Sequence, residues 1–365
     1  MIAALSPNGQ NVRRGNAPPA RVLVATLRGV DVIERAGAGW VHRGRVLDDV
    51  HCSSLLVLPD DDVVVAGAHN GGLFVSEDGG AAWERRTNGL AIPHVFSLAY
   101  APRAGGGATL YAGTQPVGLF RSDDLGRTWT ELPAIAALPG RDKWWFPGPP
   151  HQPHVKTLAV HPHDSRTLYA GVEQGALLRS TDAGATWREL DAYSLPDDKY
   201  YRDVHLLVLA PGRPDELFLT TGIGLYFSAD AGERWERLTR SDFRIGYPDH
   251  LIVSPRDERE LFMSGASADP TTWHDSHHAA GTVMRSRDRG HTWADASAGL
   301  PQDGRANIEA MSIAIFPGGF TLFAGNTDGA VFASDDAAEH WTPVAAGLAP
   351  VSKVGHYRHL QTAGV

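Results

Sequence analysis

The chain has 365 residues, 42% of them hydrophobic, a net charge of −9 and one cysteine, which allows a large buried core and excludes an intramolecular disulfide. Its 33 Lys and Arg are dispersed, so the concentrated basic surface that nucleic acid or an anionic membrane requires is not expected. No apolar run has the length of a membrane-spanning helix, and the opening stretch MIAALSPNGQNVRRGNAPPA lacks the apolar centre of a signal peptide, so a cytoplasmic protein is expected.

Residues 1–20 read as an N-terminal extension. After them RVLVAT (21–26), GVDVIER (29–35) and GWVHR (39–43) form three short alternating strands. Further along the pattern returns with a fourth strand in front. From His94 it runs HVFSLAYAP, TLYAGT, GLFRS and TWTEL; from His154 it runs HVKTLAVHP, TLYAGV, ALLRS and TWREL. Between third and fourth strands sits an octapeptide ending in Trp: SEDGGAAW from Ser76, SDDLGRTW from Ser122, STDAGATW from Ser180, SADAGERW from Ser228, SRDRGHTW from Ser286 and SDDAAEHW from Ser334. IERAGAGW, from Ile33, keeps only the Gly and Trp40 and is a decayed seventh copy. Self-similarity of this period signals a repeat architecture.

The octapeptides resemble the Asp-box (BNR) repeats of sialidases, sortilin-like receptors, xyloglucan-type hydrolases and photosystem assembly factors, and the resemblance covers nearly the whole chain. It implies an all-β, seven-bladed β-propeller with four antiparallel strands per blade, occupying residues 21–361. The box itself is a turn device: Asp accepts backbone N–H groups, Gly takes the positive φ and Trp packs across the blade edge. Asp78, Asp124, Asp182, Asp230, Asp288 and Asp336 are therefore read as structural. Ala338 replaces Gly in the last box and predicts strain there. The first blade has no innermost strand before Arg21, and the C-terminal GLAPVSKVGHYRHLQ is expected to supply it and close the ring.

Two segments exceed the repeat, 133–153 between the third and fourth blades and 266–280 within the sixth, and propeller topology brings both to one mouth. They carry Trp144, Trp145, Phe146, Trp273 and His274 as expected substrate contacts, with His277 and His278 in the same His-rich run, and His205 nearby on its own blade. Aligning inner strands on the Pro that follows each places His51, His94 and His154 eight residues before Pro59, Pro102 and Pro162. Asp203, Tyr247 and Glu309 hold the same register before Pro211, Pro255 and Pro317. Three imidazoles opposite a carboxylate suit a divalent transition metal such as Zn, Fe, Mn or Cu. The expectation is a metal-dependent hydrolase or lyase acting on a small organic substrate, with His51, His94 and His154 as ligands and Glu309 as further ligand or base. Asp203 and Tyr247 would orient substrate or water, with Asp249, His205 and His250 as weaker candidates.

Two other readings stand beside it. A non-catalytic binding scaffold predicts channel histidines bonded to neighbouring blades, and a glycoside hydrolase requires two carboxylates at the mouth. A sialidase would need an F/YRIP segment, whereas the nearest string is FRIG at 243–246. Xyloglucan-type hydrolases pair two propellers around a cleft, and His161 and Ala101 stand where such families often carry Asp.

Overall fold

The computed structural model describes residues 1–9, 11–59, 63–69, 71–147, 150–194, 202–273, 276 and 278–353. Within them the strands form seven sheets, and the innermost strands of successive sheets pack against one another around a closed ring. The molecule is an all-β, seven-bladed propeller. The third blade shows the plan: Val95–Pro102, Ala108–Thr114, Gly118–Ser122 and Thr130–Glu131 pair antiparallel from axis to rim. Inner strands are buried on both faces, which is why Cys52–Val57 and Val64–Ala68 read as unbroken runs of apolar and small residues. In the second to sixth blades the outermost strand has two residues.

Blades pack closely because the second strand carries Gly where the next blade's inner strand passes. A Cβ on Gly113 would lie 2.7 Å from the Cβ of Val155, and one on Gly171 would lie 2.5 Å from Val204. The box turns lock the rim. In the fourth blade Asp182 accepts the Thr186 N–H at 2.9 Å and the Ser180 hydroxyl at 2.8 Å, while the Ser180 Oγ accepts the Gly184 N–H at 2.8 Å. Gly184 takes φ 87°. Ala338 adopts the same left-handed region at φ 63° and keeps its bond to Ser334, so the altered last box retains its turn and holds a strained Ala. The decayed first box is a tight hairpin between Gly29–Ala36 and Gly39–Val46, with the Arg35 guanidinium over the Trp40 ring.

Ring closure differs from the expectation. The inner strand of the first blade is Ile2–Leu5, running parallel to Arg21–Thr26, and Val12–Arg14 adds in parallel to Ile308–Phe316 of the seventh blade. Residues 1–20 thus straddle the seam. With that edge occupied, the described part of the expected closing strand, residues 347–353, makes scattered bonds instead: Val351 N–H to Asn326 and Leu27 N–H to the Pro350 carbonyl. Its remainder, 354–361, lies outside the described residues.

Candidate functional site

The inner-strand register brings a dense polar cluster to the axis. Asp203, His205, Asp249, His250 and Glu309 sit on the inner strands of the fifth, sixth and seventh blades or just before them, all of them buried. Tyr247 begins the inner strand of the sixth blade, and its ring lies 4.4 Å from that of His205. Glu173 and Lys156 of the fourth blade join them and form an ion pair with each other. A backbone bridge between Glu173 and Asp203 ties the fourth and fifth blades.

Lys353 enters from the C-terminal segment and pairs with Asp249. Asn307 donates from Nδ2 to Asp249 at 2.6 Å and to Glu309 at 3.4 Å. Glu309 also accepts the Ser352 hydroxyl at 2.9 Å and the Lys353 N–H at 3.1 Å. The segment expected to close the first blade therefore covers the axis.

Burial opposes ionisation of Asp203, yet His205, Lys156 and Lys353 hold its carboxyl below the usual range. Burial likewise opposes the charge of Asp249, and Lys353, His205 and Asn307 outweigh it. Lys353 also pays for burial, but Asp249 and Glu309 lift it above the ordinary lysine value. Lys156 is pushed well down by burial and by repulsion from Lys353. Burial drives His250 down to about 3.

The three histidines of the predicted metal triad do not converge. His51 donates from Nε2 to the Ser352 carbonyl at 3.3 Å, and His94 donates from Nδ1 to the His69 carbonyl of the preceding blade. His154 turns its Nε2 to Glu173 at 2.7 Å. The rings of His51 and His154, though not that of His94, instead join an aromatic stack, His51 to His69 at 3.9 Å, His69 to Phe96 at 3.9 Å and Phe96 to His154 at 4.0 Å. Equivalent register brought these histidines to one level, but ring stacking and blade-to-blade bonds turned their nitrogens in different directions. Among the described residues, the set of at least three potential ligands within 4.8 Å of one another is Glu173, Asp203 and His205.

The insertions divide in the same way. Trp144 is buried with Ile135, Val172 and Ala176 and anchors its loop. Trp273 is buried with Ala266 and Ala279, its indole N–H on the Ala268 carbonyl. Both were expected to contact substrate; Trp273 is the core of its loop, and Trp144 packs its own loop while also forming part of a cleft wall, because large apolar rings in an insertion give it a core of its own. His274 and His277 lie outside the described residues. Trp145 is 56% exposed and stacks flat on His151, centroids 5.4 Å apart and planes 5° from parallel. Phe146 turns its edge toward His154 at 5.1 Å. Beside this pair opens a cleft of about 640 Å³ lined by Pro116, Leu138, Arg141, Trp144, His151 and Gln152 among others.

Sequence reasoning missed Glu173, Lys156, Asn307 and Lys353. One signal was present: the chain has only four lysines against many arginines, and two of the four stand inside apolar strings, HVKTLAV and APVSKV.

No family model matches the chain. It is similar to a xyloglucanase of Hypocrea jecorina, 24% identical over 257 residues, which span 62% of this chain and 29% of that enzyme. The chain spans less than a third of the curated relatives it matches. Among solved structures, an ancestral GH74 enzyme superposes with a TM-score of 0.59 at 17% identity, covering 80% of this chain and 38% of that one. YCF48 from Cyanidioschyzon merolae superposes with a TM-score of 0.51 at 13% identity, covering 81% of this chain and 86% of that one. At these identities the solved structures establish the propeller fold.

Proposed function

We propose that this propeller acts on carbohydrate, binding an oligosaccharide along the mouth crowned by residues 133–153. The observation that carries the reading is the solvent-facing Trp145–His151 stack beside the 640 Å³ cleft. A flat aromatic pair beside a largely apolar cleft is a platform for the apolar face of a sugar ring, and Arg141, Asp142 and Gln152 supply polar contacts to hydroxyls. The xyloglucanase relatives point to xyloglucan as the first ligand to try. Calorimetric titration with xyloglucan oligosaccharides tests it. Trp145→Ala is expected to weaken binding at least about tenfold with Tm unchanged, since the ring is more than half exposed. Equal affinity in the variant, or no heat with any glucan oligomer, refutes it.

Hydrolysis is the second reading, favoured by the Asp249–Glu309 pair. Both carboxylates accept from the same Asn307 amide, which puts their nearest oxygens within about 6 Å, close to the roughly 5–5.5 Å of retaining glycosidases. They are covered by Ser352 and Lys353, so this activity requires residues 347–353 to lift from the axis. Release of reducing ends, abolished by Glu309→Gln, separates hydrolysis from binding alone. The metal-dependent enzyme expected from the histidine register has no support in this geometry.

A further inference from the structure

We infer that Glu173, Asp203 and His205 form a site for one divalent first-row transition cation, a buried staple between the fourth and fifth blades. The three residues lie where those blades meet the axis, each at most 6% exposed at the side chain. The Glu173–Asp203 bridge fixes their backbones side by side.

His205 decides the chemistry. Its Nδ1 donates to the Pro248 carbonyl of the sixth blade at 2.6 Å, so the lone pair of the neutral ring is on Nε2. That Nε2 makes no hydrogen bond, and it faces Asp203 Oδ2 at 3.5 Å and Glu173 Oε1 at 3.9 Å. A buried lone pair aimed between two carboxylate oxygens is repulsive on its own and attractive around a cation. A backbone carbonyl holding the far ring nitrogen is the usual support of a metal-bound imidazole.

One nitrogen and two carboxylates suit Zn²⁺ or Mn²⁺. Moving donors that now lie within 4.8 Å of one another into a shell of roughly 2.0–2.2 Å takes displacements on the order of 1 Å. His154 already holds the second oxygen of Glu173 in place. Lys156 is the built-in competitor, because its Nζ occupies the Glu173 oxygen that faces His205. Among the described residues, the side-chain nitrogen within ion-pair distance of Asp203 is His205 Nε2, at 3.5 Å.

The test uses the full chain stripped with chelator and titrated with ZnCl₂ and with MnCl₂ by calorimetry, Mn²⁺ being read in parallel from its free-ion EPR signal. One ion of at least one metal binds per chain and raises Tm. Asp203→Asn, which preserves shape, weakens binding roughly 100-fold or more, as does His205→Gln. His51→Ala and His94→Ala leave it unchanged. Lys156→Met tightens it at least about tenfold by freeing the Glu173 oxygen from its competing partner. The inference is overturned if neither metal binds saturably, or if binding survives Asp203→Asn and disappears instead with His278→Ala, which would mark the exposed His-rich insertion as the ligand. The Tm rise of the unmodified protein gives a readout that does not depend on any variant folding. None of these outcomes bears on the Trp145 platform, which is tested separately.

Discussion

Replacing Lys353 with Met leaves a four-atom stem of similar length in the axis and deletes one charge. Asp249 then loses its ion-pair partner while buried, and Glu309 loses the nearby ammonium. Breaking a buried pair from one side costs about 3–5 kcal/mol. Asp249 keeps the Asn307 amide, and Glu309 keeps Ser352 and the backbone N–H of residue 353, so the lower end, about 3 kcal/mol, is expected at pH 7. For 365 residues the unfolding entropy near Tm is about 0.8 kcal/mol/K, which converts the loss to a Tm decrease of about 4 °C.

The pH dependence has a definite sign. Asp249 is held below its unfolded value, so its share of the stabilisation is present above about pH 4 and lost as pH falls through the folded value. Lys353 is held above its unfolded value, so its share is present below about pH 10.5 and lost as pH rises through the folded value. The difference between wild type and Lys353→Met is therefore widest near neutrality. It narrows toward pH 4, where the unpaired Asp249 of the variant takes a proton. Scanning calorimetry at several pH values reads this directly. Adding Asp249→Asn to Lys353→Met should recover part of the lost Tm. A single variant within about 0.5 kcal/mol of wild type, or a double variant less stable than the single, refutes the argument.

Ala338→Gly should raise stability by about 0.5–1 kcal/mol, because it removes a Cβ from a left-handed residue while leaving the Ser334 bond in place; a lower Tm would show that the site is unstrained. His250 is held near 3 by burial, whereas an unfolded histidine titrates near 6.5, so the stability it confers is full above about pH 6.5 and falls as pH drops toward 3. The slope is at most about 1.4 kcal/mol per pH unit, His250→Phe should flatten that limb of the Tm profile, and an unchanged limb would show that another group carries it.

The propeller was legible because the boxes encode backbone geometry locally. Ser180, Asp182, Gly184 and Thr186 bond only within one turn, so their spacing survives in the string without knowledge of the rest of the chain. The seam was not legible. IAAL is too short and too close to the start to resemble a repeat strand, and it pairs in parallel, as only Val12–Arg14 of the same N-terminal segment also does among the described strands.

At the axis, strand pairing puts Asp203 and Tyr247 in the register of the three histidines, whereas in the seventh blade Asn307 holds that place and Glu309 lies two residues further along; shared register did not make His51, His94 and His154 converge. Register fixes the height of a Cα and says nothing of χ angles, which for His51 and His154 go with the His69 and Phe96 rings stacked between them and for His94 with its bond to the His69 carbonyl. The rarity of lysine singled out Lys353, but its place in the fold was not legible, for a different reason. Its partner Asp249 is 104 residues away, and nothing in APVSKV indicates that the segment leaves the sheet and turns inward.

The two-residue outer strands also govern how the molecule meets its own copies. An open sheet margin invites a second chain to continue the ladder, and five blades here present margins such as Glu84–Arg85, Arg188–Glu189 and Glu236–Arg237, too short and too charged to be extended. The first blade departs from this, with the eight-residue rim strand Gly39–Val46 and Val41 turned to solvent. Arg43 is the exposed charge there, while Arg45 turns inward to the buried Asp31, and in crowded solution this margin is where unwanted fibre-like growth would begin if Arg43 were neutralised.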